Sequence, residues 1–156
     1  MTKAALRDEL LALLEVALEA ARAAHAAAIE GSTHPEAKAE NEKDTRGLEQ
    51  SYLARGVAQR VAELETAVAD VTRLELRTFT ATSPVAMSAL VTADEEGETH
   101  RFFLAPAGGG STLAGGVQVL TTSSPLGRAL LGKRVDDDVE LKLPGKTRTL
   151  VVTAIH

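Results

Sequence analysis

Along the first part of the chain, apolar residues recur in alternating steps of four and three, at Leu6, Leu10, Leu13, Ala17, Ala20, Ala24 and Ala27. That spacing is the seam of a coiled coil, narrower than the stripe of a helix lying on a globular core. From about Lys3 to Ile29 there is no Gly or Pro, and Ala, Leu and Glu dominate, so one long helix is expected. Gly31, Ser32, Thr33, His34 and Pro35 interrupt it, with Thr33 or Ser32 placed to cap a second helix and Pro35 tolerated in its first turn. The second helix is expected from about Pro35 to Arg73, its later part repeating the seam at Ala54, Val57, Val61, Leu64, Val68 and Val71. The two seams would pair antiparallel as a rod of roughly 40 Å at about 1.5 Å per residue. Leu would fill its base and Ala its tip.

The pattern changes after about Arg77. β-Branched residues and Phe become more frequent, alternation replaces helical spacing, and Gly and Pro punctuate the chain. Strands are expected at Leu74 to Ala81, Val85 to Thr92, His100 to Ala105, Val117 to Thr122, Val139 to Leu143 and Thr149 to Ile155. Asp94 to Glu98, around Gly97, reads as a hairpin turn, as does Pro144-Gly145. Ser124 as a cap, Pro125 after it and Gly132 as a stop mark one short helix laid on the sheet. The expectation is an α+β protein, with a helical hairpin over residues 1–75, its tip at about 30–44, and a β-rich domain over 76–156.

Composition narrows the function. With 156 residues and 44% apolar content the chain can form a folded core. No apolar run is long enough to span a membrane, and Arg7, Asp8, Glu9, Glu15 and Glu19 sit where a signal peptide would be apolar. The absence of cysteine excludes disulfides, thiolate metal sites and cysteine nucleophiles, and it fits the cytoplasm. A net charge of −5 argues against coating nucleic-acid phosphates directly, so contact with nucleic acid would come through a protein partner.

Charge is concentrated at the tip, where Glu30, Glu36, Glu40, Glu42 and Asp44 outnumber Lys38 and Lys43. Such carboxylates suit a hard cation such as Mg²⁺, and they equally suit a solvated, salt-bridged helix surface near a helix start. His34 stands without a second His at metal-ligand spacing and reads as a turn residue. Gly108-Gly109-Gly110-Ser111-Thr112 lacks the ending of a phosphate loop and reads as a flexible surface loop, and Gly115-Gly116 reads as a tight bend. Capping accounts for Ser124, and Ser123 or Ser124 as a nucleophile has no convincing His and Asp partners in the sequence, which leaves the proximity of His100 and His156 to the structure.

The segment Ser124-Pro125-Leu126-Gly127-Arg128-Ala129-Leu130-Leu131-Gly132-Lys133, followed by Asp136-Asp137-Asp138-Val139 and Leu143-Pro144-Gly145, resembles the C-terminal signature of Gre factors, regulators of bacterial RNA polymerase. That signature is a Ser-Pro-Leu-x-x-Ala-Leu-Leu-Gly-Lys helix, a Gly-Asp-x-Val turn and a closing hairpin, and Asp137 departs from it where the family usually has Gly before the Asp. The resemblance implies an antiparallel, FKBP-like β domain that docks on the rim of the polymerase secondary channel, with Ser124, Pro125, Leu126, Arg128 and Lys133 as partner-binding residues. It also implies a hairpin that enters the channel, where tip carboxylates help the polymerase hold its second Mg²⁺ and hydrolyse backtracked RNA. The factor would be co-catalytic at most and would have no cofactor of its own. The family's tip motif Asp-x-x-Glu-Asn meets Ala37-Lys38-Ala39-Glu40-Asn41 here: Glu40 and Asn41 carry over, while Ala37 replaces the Asp. Glu40 is then the tentative metal-binding residue within the polymerase, and Glu36, Glu42 and Asp44 are the neighbouring candidates.

Three functions follow. A cleavage-stimulating factor requires Glu40 and a neighbouring acid. A channel-binding regulator that does not stimulate cleavage is favoured by Ala37. A prolyl isomerase would need an aromatic-lined cleft, and the β domain has only Phe79, Phe102 and Phe103 to line one.

Overall fold

The computed structural model describes residues 2–33 and 46–156. Two helices come first, α1 (Lys3–Thr33) and α2 (Arg46–Thr72). They are followed by strands β1 (Leu90–Glu95), β2 (Glu98–Leu104), β3 (Thr112–Leu113) and β4 (Val117–Leu120), helix α3 (Pro125–Leu130), and strands β5 (Asp138–Leu143) and β6 (Lys146–Ile155). The chain divides into two compact units, one of residues 12–69 and one of residues 1–11 with 70–156.

In the first unit α1 and α2 form an antiparallel hairpin, with Arg22 on one reaching Glu65 on the other at 3.5 Å. The α2 seam lies as its spacing predicts: Leu64 is buried, and Ala54, Val57, Val61 and Val68 are half-buried. The α1 seam differs from expectation. Leu14, Leu18 and Ala28 are the buried positions, whereas Leu13, Ala20, Ala24 and Ala27 are exposed. A seam stepping by threes and fours fits two adjacent stripes on so Ala-rich a helix, and the stripe with larger residues, Leu14 and Leu18, turns inward. α1 also continues through Gly31 to Thr33, so Ser32 and Thr33 belong to the first helix instead of capping the second.

The second unit holds one six-stranded sheet in the order β3-β4-β2-β1-β6-β5. Its neighbours are antiparallel except β2 and β4, which run parallel and make the sheet mixed. The parallel pair requires a crossover, which residues 105–116 supply, and within it β3 adds itself to β4. β1 and β2 meet through Glu96-Gly97, where φ values of 52° and 84° give the left-handed turn that matches strand twist.

One sheet face carries Val91, Ala93, Phe102, Leu104, Val139, Leu150, Val152 and Ile155, and Leu126 and Leu130 of α3 close over it. By strand alternation Leu90, Phe103 and Val119 lie side by side on the opposite face, also buried. Residues 1–11 are anchored within this unit. Leu6 and Leu10 are fully buried, both carboxylate oxygens of Glu9 accept from the Ala114 backbone N–H at 3.0 Å, and Arg7 donates to the Leu74 carbonyl.

The strand expected at Leu74 to Ala81 is absent, and the one expected at Val85 to Thr92 begins only at Leu90. The first stretch is extended but joins no ladder. The second is broken by a turn in which the Ala89 N–H bonds the Ala86 carbonyl and Ser88 takes a φ of 71°. The Gly108 to Gly110 loop lies on the surface as expected, with Gly109 and Gly110 exposed, but it is tied down at both ends. A Cβ on Gly108 would come within 2.5 Å of Leu10, and the Gly110 N–H donates to the Val119 carbonyl.

Candidate functional site

The tip residues His34, Glu36, Ala37, Glu40, Asn41, Glu42 and Asp44 lie outside the described residues. Among the described residues no group of three or more His, Asp or Glu side chains is placed to hold a metal ion.

The second candidate site is α3 and its flanks, and here local geometry separates residues that build the helix from residues that face outward. Ser124 is the N-cap: its Oγ accepts from the Gly127 N–H at 3.1 Å and donates to the Thr121 carbonyl at 2.8 Å. Pro125 follows in the first turn, where a missing N–H costs nothing. The turn is so tight that a Cβ on Gly127 would lie 1.9 Å from the Thr121 carbonyl oxygen. Leu126 and Leu130 point into the core. At the far end the Lys133 carbonyl accepts from the Val85 N–H at 2.7 Å, and the Gly132 N–H donates to the Val85 carbonyl at 2.9 Å. Of the five residues implied as partner-binding, Ser124 and Leu126 therefore hold the helix on its sheet, and Lys133 is half-buried. Pro125 and Arg128 are exposed, and they are joined by Leu131, an exposed apolar side chain that the motif alone does not single out.

The Asp-rich turn after α3 has its own logic. The left-handed position is Asp136, with φ 74°, and not Asp137, so Asp136 occupies the place that suits Gly. Asp137 Oδ2 accepts from the Arg134 N–H at 2.8 Å and closes the turn.

An isomerase cleft finds little support in these positions. Phe102 and Phe103 are fully buried in the sheet. A shallow cavity of about 370 Å³ beside the end of β6 has Phe79 and His156 as its ring side chains, among Thr80, Ala81, Val135 and Ile155. His100 stacks on Phe102 at 6.1 Å and His156 lines the cavity beside Phe79, while the Ser123 and Ser124 hydroxyls bond Thr121 and the Gly127 N–H.

Comparison with known proteins agrees with the motif. Residues 80–156 match the family described as "Transcription elongation factor, GreA/GreB, C-term". The transcription elongation factor GreA of Sphingopyxis alaskensis is 46% identical over 37 residues, a stretch covering 24% of this chain and 23% of that protein. Among solved structures, GreA factor homolog 1 of Thermus thermophilus is 22% identical with a TM-score of 0.41, covering 94% of each chain. The corresponding protein of Thermus aquaticus is 23% identical with a TM-score of 0.43, over 92% of this chain and 91% of that one. A GreA/GreB factor from Nitrosomonas europaea is 21% identical with a TM-score of 0.39, over 59% of this chain and 78% of that one. With the family's C-terminal domain over residues 80–156 and a helical hairpin before it, the chain belongs to the Gre-factor superfamily of transcription elongation factors.

Proposed function

We propose that this protein binds RNA polymerase at the rim of its secondary channel, inserts the hairpin tip, and stimulates cleavage of backtracked RNA. The observation that carries the reading is the joining, in one chain, of a GreA/GreB C-terminal domain to an antiparallel hairpin whose connecting segment contains Glu40-Asn41. Glu40, with Glu36, Glu42 and Asp44 close in sequence, offers the hard oxygen donors that Mg²⁺ prefers. These side chains would help hold the ion within the polymerase, where it would supply charge neutralisation at the scissile phosphate and activation of water, and the polymerase would remain the enzyme. Pro125 and Arg128 are the motif residues exposed to meet the rim, while nucleic acid is contacted only through the polymerase. The place of action is the cytoplasm, in keeping with the cysteine-free composition.

A second reading is favoured by Ala37, which stands where the family's tip carries Asp. A factor missing that carboxylate would occupy the channel and regulate transcription without stimulating cleavage.

The test is transcript cleavage by stalled, backtracked RNA polymerase in Mg²⁺ with no factor, with this protein, and with its Glu40→Ala variant. Shortened RNA that depends on Glu40 supports the cleavage factor. Unchanged cleavage together with competition against a known channel-binding factor supports the regulator. Neither cleavage nor competition overturns the polymerase reading.

A further inference from the structure

α1 carries two apolar stripes and its hairpin uses one. The second stripe, one residue away at Leu13, Val16, Ala20, Ala24 and Ala27, is exposed, with Val16 at 71% and Leu13 at 45%. Beside it an open groove of about 640 Å³ runs between the helices, and on the α2 side Tyr52 and Leu53 are 57% and 54% exposed, with Arg60 at the groove wall and Arg55 stacked over the Tyr52 ring. At 100° per residue, Glu15, Glu19 and Arg22 fall on other sides of α1, so this stripe carries no charge.

The order of residue sizes identifies what fits there. In two α1 helices laid antiparallel about a two-fold axis at Ala20, positions equally far before and after Ala20 face each other. Leu13 then meets Ala27, Val16 meets Ala24, and Ala20 meets its own copy: every large side chain lies opposite a small one. A stripe that complements itself under a two-fold operation is what an isologous contact requires. At Gly56, on the groove wall, even an added Cβ would meet no atom within 4 Å, which leaves room for close approach.

We propose that this face is the contact between two copies of the chain, which pair through α1 around Ala20. At about 1.5 Å per residue and about 10 Å per helix, the face measures roughly 21 by 20 Å, or about 420 Å² per copy. Twice that, about 840 Å², is below the roughly 1,200 Å² at which stable interfaces begin, so the pairing is weak, reversible and concentration-dependent.

The experiment uses the full chain, which has no cysteine of its own. Sedimentation equilibrium across the micromolar to millimolar range is expected to show monomer passing to dimer. Val16→Lys, at a position too exposed to matter for the fold, is expected to raise the dissociation constant at least tenfold. Ala20→Cys under mild oxidation is expected to give a covalent dimer, because the axis brings the two α1 backbones within disulfide reach, whereas Ala26→Cys, exposed on another side of α1, is not. A chain that stays monomeric throughout, or equal cross-linking of the two cysteine variants, overturns the proposal. Loss of polymerase binding by Val16→Lys in a chain that never dimerises assigns the face to the polymerase instead and overturns it equally. Transcript cleavage is a separate readout, so failure here leaves the Glu40 test untouched.

Discussion

The Ser88 hydroxyl, fully buried, accepts a hydrogen bond from the backbone N–H of Arg77 at 2.9 Å, while its own N–H donates to the Leu104 carbonyl at 3.0 Å. Ser88 thereby ties the extended segment that follows α2 to the edge of the β1–β2 ladder, and it holds a left-handed backbone to do so. Ser88→Ala keeps the left-handed strain and leaves the Arg77 N–H without its acceptor. It is expected to lower stability by about 1–2 kcal/mol, read from the midpoint of urea denaturation at unchanged slope.

Glu95 and Arg148 form a two-pronged ion pair, with Nε to both carboxylate oxygens at 3.0 Å and Nη2 to Oε2 at 2.8 Å. The hydrogen bonds from Arg148 hold the Glu95 carboxyl below its ordinary value, against a smaller opposing effect of burial. Because the folded pKa is the depressed one, the pair's contribution is complete above the unfolded value of about 4.3 and is lost as pH falls through the lower folded value. Glu95→Gln is therefore expected to be less stable than the parent at neutral pH, by about 1 kcal/mol for a half-buried pair that keeps some contact with solvent. The gap should close on acidification below about pH 4. A gap that persists once Glu95 is protonated in both the folded and the unfolded state would mean that the loss is one of packing and not of charge.

What can be read from the sequence depends on whether the deciding signal is local. The α3 motif is legible because a cap, an early Pro and a stopping Gly act within a few residues, and Ser124, Pro125 and Gly132 sit where those roles require. The buried α1 stripe lies one residue from the expected one because Leu13 and Leu14 are interchangeable until α2 is present to choose between them. The end of β6 hides its alternation for another long-range reason. A register shift opposite Thr92 and Ala93 makes Thr153 an extra residue, so buried Val152 and Ile155 stand three apart. At the tip, residue type alone is legible, since the chemistry proposed for Glu40 is completed by atoms of another protein.

The choice between Leu13 and Leu14 is itself measurable. Leu14 is buried against the hairpin seam and Leu13 is nearly half exposed. In dilute solution Leu14→Ala is expected to cost about 2–4 kcal/mol as a cavity-forming change. Leu13→Ala should fall within about 0.5 kcal/mol of the parent. Thermal unfolding followed by circular dichroism separates the two, and equal losses would return Leu13 to the seam.

Arg128 tests whether the outward side of α3 meets the polymerase, because it is exposed and none of the helix's capping or core contacts depends on its side chain. Arg128→Glu reverses the charge without disturbing the Ser124 cap. It is expected to leave the melting temperature within a few degrees of the parent and to weaken competition for the secondary channel about tenfold, with a smaller loss at high salt where screening already weakens the pair. Unchanged competition would move the docking surface away from α3.

Two positions near α3 should respond to substitution in opposite directions because their backbones make opposite demands. At Gly127 the conformation is helical and the obstacle is space: a methyl group would overlap the Thr121 carbonyl, which the Ser124 hydroxyl also holds. Gly127→Ala must push the cap away from the helix it starts, and a loss of about 3 kcal/mol or more is expected, enough to leave much of so small a domain unfolded on warming. At Asp136 the obstacle is φ, since 74° is strained for a residue with a Cβ. Asp136→Gly removes that strain and keeps the Asp137 bond to the Arg134 N–H, but it adds freedom to the unfolded chain. The balance favours Gly by about 0.5–1 kcal/mol, visible as a rise in the denaturation midpoint. A loss at Asp136→Gly would mean that the Asp136 carboxylate makes a contact worth more than the strain it tolerates, whereas the same change at Asp137 should destabilise by removing an acceptor.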